Sequence, residues 1–146
     1  AKYFCKNSNL ISLSDDSGLS VNCLGGKPGI YSARWAKKYG SFNSSMKKII
    51  RLVDLKNRNK KIANRKAQFI CSLSLKFPKG RCVTVVGKIN GSISKKILGK
   101  NGFGYDPIFV PIKKKLTFGE MKKKNKIKID HRFNAFIKLK KKIKIL

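Results

Sequence analysis

The stretch RKAQFICSLSLKFPKGRCVTVVGKI at residues 65–89 carries two β runs on either side of a Pro-Lys-Gly turn. In the first run Ala67, Phe69, Cys71, Leu73 and Leu75 alternate with Gln68, Ser72, Ser74 and Lys76. This is the period-two pattern of a strand with one face in a core and the other toward water. FPKGR turns the chain back into RCVTVVGKI, so the spacing predicts a long antiparallel hairpin, with NGSISKKI at 90–97 continuing the sheet.

Working outward, residues 10–14 and 18–24 read as short strands flanking Asp15 and Asp16, which places the acidic pair at a strand junction. GGKPG at 25–29 is a loop. Ile30, Ala33, Trp35 and Ala36 then form a short helical pattern ended by Gly40. Asn43 or Ser44 can cap a second helix, whose Met46, Ile49, Ile50 and Val53 recur every three or four residues and so share one apolar face. After GKNGFGYD at 99–106, PIFVPI reads as a strand with prolines at both edges. TFGEMKKKNK at 117–126 and the stretch 130–146 carry helical signals; Asp130 is placed to cap the last helix, and Phe133, Phe136, Ile137 and Ile143 are its expected apolar contacts. The expected fold is α/β, a largely antiparallel or mixed sheet flanked by helices.

The chain has 146 residues, 41% hydrophobic and 10% aromatic, enough for one packed domain over residues 1–146. No apolar run reaches the roughly 18 residues of a spanning helix, and the first residues lack a secretory pattern, so the expectation is a soluble, cytoplasmic protein with no membrane partner. Cys5, Cys23, Cys71 and Cys82 are scattered without a CxxC pair, which suits reduced thiols better than a zinc site. The 36 basic residues against 6 acidic ones give a net charge of +30, and only Arg34, Arg51, Arg58, Arg65, Arg81 and Arg132 are arginine. Dedicated readers of bases and phosphates favour arginine, so this lysine excess reads as a solvated surface rather than a specific nucleic-acid interface.

In so basic a chain the surviving carboxylates mark candidate chemistry: Asp15, Asp16, Asp54, Asp106, Glu120 and Asp130. Adjacent carboxylates such as Asp15 and Asp16 can hold Mg²⁺ and accept a proton from water, although an isolated pair serves equally as a turn or a cap. In GKNGFGYDP at 99–107 three glycines permit close backbone approach, Phe103 and Tyr105 offer stacking faces, and Asp106 can accept hydrogen bonds from a base. Lys126, His131 and Arg132 cluster at the start of the last helix, where donors can engage phosphate or a keto oxygen.

In order along the chain, SDDSGL, GKPGIYSARWA, RKAQFICSL, VVGKINGSI, GKNGFGYDPIFVP, TFGEM and KNKIKIDHR resemble the non-canonical purine nucleoside triphosphate pyrophosphatase family, the inosine/xanthosine triphosphate hydrolases. The resemblance implies an elongated α/β fold with a long mixed central sheet and a homodimer. It implies Mg²⁺-dependent hydrolysis of dITP, ITP or XTP to the monophosphate and pyrophosphate, which cleanses the nucleotide pool. By the family pattern Asp16 is the general base and a metal ligand, and Asp15 is its partner near the metal. Ser17 touches substrate, and Phe103, Gly104, Tyr105 and Asp106 line the base and sugar pocket. Lys126, His131 and Arg132 complete recognition, His131 and Arg132 reading the 6-keto edge, while Ser32, Ala33 and Arg34 shape the cleft.

The family also opens with a strand, a phosphate loop of the form Ser/Thr-x-Asn-x-x-Lys and a metal-holding glutamate. A chain that starts at Ala1 is therefore expected to be N-terminally incomplete against that pattern. Asp130 stands where the family commonly has serine; either caps a helix, but aspartate adds negative charge near the anion site, so slightly weaker phosphate binding is expected. Two other readings stay open at this stage: a truncated, inactive nucleotide-binding remnant, and a basic nucleic-acid binder whose complexes persist as salt rises.

Overall fold

The computed structural model describes residues 1–144; the end of the helical stretch read at 130–146 lies outside the described residues. The elements run α1 (Lys2–Ser8), β1 (Ser12–Val21), β2 (Pro28–Gly29), α2 (Ser32–Lys38), α3 (Phe42–Asn57), β3 (Lys66–Lys76), β4 (Cys82–Ile93), β5 (Phe109–Pro111), α4 (Lys123–Lys126) and α5 (His131–Lys144). The hairpin at 65–89 forms as expected and lies at the centre of a five-stranded sheet of order β2-β1-β3-β4-β5. The fold is α/β, and each of its four strand pairings is antiparallel.

One face of the sheet carries the core. Alternation puts Leu19, Val21, Ala67, Phe69, Cys71, Leu73, Val83 and Val85 inward, while Ser72, Ser74, Thr84 and Lys88 lie on the other face. Two helices supply the cover. Met46, Ile49 and Val53 of α3 join Leu19, Val21, Phe69, Ile93 and Phe109 in one core cluster. Ala135 and Leu139 of α5 pack on Cys71, Leu73, Val83 and Val85 in a second.

One position on β4 sets how closely α5 can approach. A Cβ at Gly87 would stand 2.2 Å from both the Ala135 nitrogen and the His131 carbonyl oxygen, so only a residue without a side chain lets the first turn of α5 rest on the strand. Gly87 pairs with Cys71, which pairs in turn with Ser17. This row across three strands brings the start of α5 down beside β1.

Several local expectations change. The two short strands expected around Asp15 and Asp16 are one continuous strand, β1, so the acidic pair sits mid-strand and not at a junction. The cap of α3 is Ser41, whose hydroxyl accepts from the Ser44 nitrogen at 3.0 Å, rather than Asn43 or Ser44. The strand read at 107–112 shrinks to Phe109–Pro111, because a 3₁₀ turn occupies Asp106–Ile108. In the stretch 117–126 only Lys123–Lys126 is helical. There the Glu120 carboxylate accepts from the Thr117 nitrogen and hydroxyl, fixing a turn instead. Asp130 does cap α5, accepting from the Phe133 nitrogen at 2.8 Å, but the buried stripe of α5 is His131, Ala135 and Leu139. Phe133 and Phe136 are largely exposed.

Candidate functional site

The start of α5, the loop 102–106 and β1 meet at a cleft of about 190 Å³ lined by Ser17, Gly18, Leu19, Ser32, Phe103, Gly104, Tyr105, Asp106, His131 and Arg132. Ligand clefts commonly run about 300–1,000 Å³, so this one suits part of a molecule, such as a planar base, with the remainder outside. Nine of the residues singled out from sequence, Ser17, Ser32, Ala33, Phe103, Gly104, Tyr105, Asp106, His131 and Arg132, share this lining, whereas Arg34 does not.

The loop is held from below. Gly102, at φ +77°, leaves no room for a Cβ, which would fall 2.0 Å from an Asp106 carboxylate oxygen. That carboxylate accepts from the Phe103 nitrogen at 2.7 Å and from Lys126 Nζ at 2.6 Å. Burial holds the Asp106 carboxyl above its ordinary range, more than Lys126 and the Phe103 N–H pull it down. Lys126 thus meets the cleft through Asp106 and lies 4.9 Å from the Phe103 ring centroid.

Tyr105 does not offer the stacking face expected of it. Its ring is buried edge-on against Phe42, its hydroxyl donates to the Ser32 carbonyl at 2.8 Å, and Ser45 donates to it at 2.8 Å. The aromatic face left open is Phe103, 59% exposed, with the Arg132 guanidinium 4.8 Å from its centroid.

His131 is 2% exposed and stacks on Phe69, with centroids 4.8 Å apart and planes inclined by 13°. Burial, with the charges of Arg132 and Lys126, holds its pKa down to about 3, so the ring is neutral near pH 7. Arg132 Nη1 lies 3.2 Å from His131 Nε2. An arginine only donates, so Nε2 accepts and the ring proton resides on Nδ1, a buried atom with no hydrogen-bond partner among the described residues. His131 Nδ1–H is therefore a buried donor without an acceptor among the described residues.

This burial has a pH signature. The neutral imidazole stabilises the fold fully above about pH 6.5, the unfolded value, and that stability is lost as pH falls toward about 3. Because His131 is the sole histidine, urea midpoints should show a loss of about 2 kcal/mol between pH 6.5 and 5, and His131→Gln should flatten it. An equal slope in the variant would mean that the ring is not buried neutral.

The two adjacent aspartates separate. Asp15 shares its face of β1 with Ser17 and meets Arg132, Nε at 3.0 Å and Nη2 at 3.4 Å. It also accepts from Ser17 Oγ at 2.8 Å and Cys71 Sγ at 3.3 Å. Burial pushes the Asp15 carboxyl up, but those hydrogen bonds and the Arg132 charge outweigh it and hold it below the ordinary range. Burial pushes the Cys71 thiol up to about 11, so it stays protonated and a donor.

Asp16, by strand alternation, faces the opposite way and is exposed. Asp54 pairs with Arg65, Asp106 with Lys126, Glu120 with Thr117, and Asp130 caps α5. Asp16 is thus the one carboxylate among the described residues that makes no side-chain hydrogen bond or ion pair. No group of three or more His, Cys, Asp or Glu side chains that could hold a metal comes together among the described residues. A larger hollow of about 730 Å³ lies along α3, ringed by Lys47, Arg51, Arg58, Lys95 and Lys96. Its only carboxylate, Asp54, is already paired with Arg65.

In the sequence Phe69 and Cys71 read only as inward strand positions, and Phe42 carries no site signal. Their roles depend on strand register and on where α5 lands, and neither carries a local motif.

The sequence matches the Ham1 family over residues 1–142. The chain belongs to the Ham1 family. Among curated relatives it is 45% identical over 132 residues to the dITP/XTP pyrophosphatase of Clostridium tetani, covering 90% of this chain and 63% of that protein. It is 40% identical over 141 residues to the dITP/XTP pyrophosphatase of Bacillus subtilis, 97% of this chain and 69% of that one. The chain therefore spans about two thirds of the length of these relatives. Among solved structures it superposes on the Ham1 protein of Staphylococcus aureus with a TM-score of 0.85 at 36% identity, covering 98% of this chain and 71% of that chain. For a Ham1 protein of Coxiella burnetii the values are 0.88 and 30%, with 100% and 73% covered. Among the described residues no helix of this Ham1 chain is long and apolar enough to cross a membrane.

Proposed function

We propose that this Ham1 chain binds a keto purine nucleoside triphosphate, dITP, ITP or XTP, and with Mg²⁺ hydrolyses it to the monophosphate and pyrophosphate in the cytoplasm as a homodimer. The observation that carries the reading is the Arg132 guanidinium, held by Asp15 and His131 in a base-sized cleft with two N–H groups to spare. A 6-keto oxygen accepts from such a donor, whereas the 6-amino group of adenine presents N–H to N–H, so adenine would leave the guanidinium donor unmet. The dITP/XTP pyrophosphatase names of the relatives support the same substrate class.

In this reading the base stacks on Phe103, and Lys126, fixed by Asp106, keeps the Phe103 loop in place. β2 pairs with β1 only at Leu19 and Ser20, leaving the edge of β1 before Gly18 uncovered by it. The phosphates can then pass from the cleft, over that edge, to the face where Asp16 stands. Mg²⁺ commonly binds through one or two carboxylates plus substrate phosphates and water, and the unengaged Asp16 fits that demand. Bound there, Mg²⁺ would neutralise phosphate charge. Asp16 takes the proton of the water that attacks the α-phosphorus, and pyrophosphate leaves. Asp15, which the resemblance puts near the metal, is engaged with Arg132 on the other face.

Pyrophosphate release from dITP and from dATP with Mg²⁺ tests the reading. It expects release from dITP well above dATP. Equal rates would mean a pyrophosphatase that does not read the 6-position, and dIMP bound without any dITP hydrolysis would leave a nucleotide-binding protein instead.

A further inference from the structure

The guanidinium of Arg132 is the most conspicuous donor in the cleft, and it is tied down on one side. Of its five N–H groups, Nε and Nη2 each give one to Asp15 and Nη1 gives one to His131, which leaves two free. An unrestrained arginine carries substantial rotamer entropy, which binding has to overcome. Asp15 removes that freedom in advance, but only if its own two oxygens are fixed. They are: Oδ1 accepts from Ser17 Oγ and Oδ2 from Cys71 Sγ. Cys71 is fully buried on β3 between Ser17 on β1 and Gly87 on β4, in register with both.

We propose that Asp15 is a positioning residue for purine discrimination: it sets the orientation of Arg132 toward the base, and the Cys71 thiol, with Ser17, sets Asp15. This rests on the reading of the cleft as the base site. Asp15 does not touch the reacting phosphorus; its work is done through Arg132. Cys71 contributes as a hydrogen-bond donor, not as a nucleophile or a redox group.

The test is calorimetric binding of dIMP and dAMP to the full chain, which needs no turnover. The parent should prefer dIMP, and Arg132→Ala should abolish that preference. Asp15→Asn, which keeps size but removes the charge, should weaken dIMP binding roughly tenfold or more while leaving dAMP nearly unchanged. Cys71→Ala should lower the preference by a few-fold, and Cys71→Ser, which restores a donor at the same place, should recover it. The Cys71 pair answers the question even if Asp15→Asn fails to fold. If Arg132→Ala removes the preference while Asp15→Asn and Cys71→Ala leave it intact, the positioning role is wrong and the base-site reading stands. If both nucleotides weaken equally in Asp15→Asn, the residue is merely structural. A parent indifferent to dIMP and dAMP overturns the base-site reading and this inference with it.

Discussion

Gly87→Ala should unseat α5 and draw His131 and Arg132 out of the cleft wall. The added methyl would lie 2.2 Å from two backbone atoms of α5, the Ala135 nitrogen and the His131 carbonyl oxygen, and backbone cannot rotate aside as a side chain can. The helix has to lift. Lifting it opens the contacts of Ala135 and Leu139 with Cys71, Leu73, Val83 and Val85. The cost should be roughly 3 kcal/mol or more, the upper end for an overpacked core. Since His131 and Arg132 begin the same helix, dIMP binding should fall further than stability alone explains. A urea titration and a dIMP titration read the two effects separately. Val86→Ala, next along β4 but on the open face, is the contrast and should change both little. A Gly87→Ala protein that unfolds at the parent's midpoint would mean that α5 does not rest on β4 at this distance.

Asp16→Asn should abolish hydrolysis of dITP and leave the fold untouched. A positioned base commonly contributes 10²–10⁴-fold, and asparagine neither takes a proton nor attracts a cation, so the loss should reach at least that range. The melting temperature should move by less than about 1 °C, because the side chain is exposed and makes no side-chain bond with the described residues. The same variant should also lose the Mg²⁺-dependent part of its affinity for a non-hydrolysable α,β-methylene analogue of dITP, a readout independent of turnover. Full activity in Asp16→Asn would take the residue out of the reaction.

The parts of the fold that the sequence disclosed are those whose pattern is local. Alternation from Ala67 to Leu75 needs only the strand's own period, and α3 shows its face through Met46, Ile49 and Val53. β1 looked like two strands because Asp15, Asp16 and Gly18 interrupt the apolar rhythm, yet the ladder to β3 runs unbroken from Ser12 to Val21. Its aspartates are tolerated because one meets an arginine and the other meets water. The buried side of α5 was misread for a related reason. Phenylalanines promise burial, but at the crossing with β4 only small Ala135 fits over Gly87, so Phe133 and Phe136 turn outward. Ser17, Phe103, Asp106, His131 and Arg132 could be chosen from residue type and family resemblance. What each one touches depends on which strand lies next to which, and no single segment states that.

The tie between Asp15 and Arg132 spans 117 positions of the chain. A ribosome adding about 5–20 residues per second needs roughly 6–23 s to travel that distance, and the hairpin of β3 and β4 is already made by then. For that interval Asp15 has no Arg132 to meet and His131 does not yet exist, so no nascent form carries the cleft wall that α5 supplies. The proposed recognition of the base is accordingly the last competence this chain would acquire, and a ribosome that stalls before α5 releases a sheet without that half of the cleft.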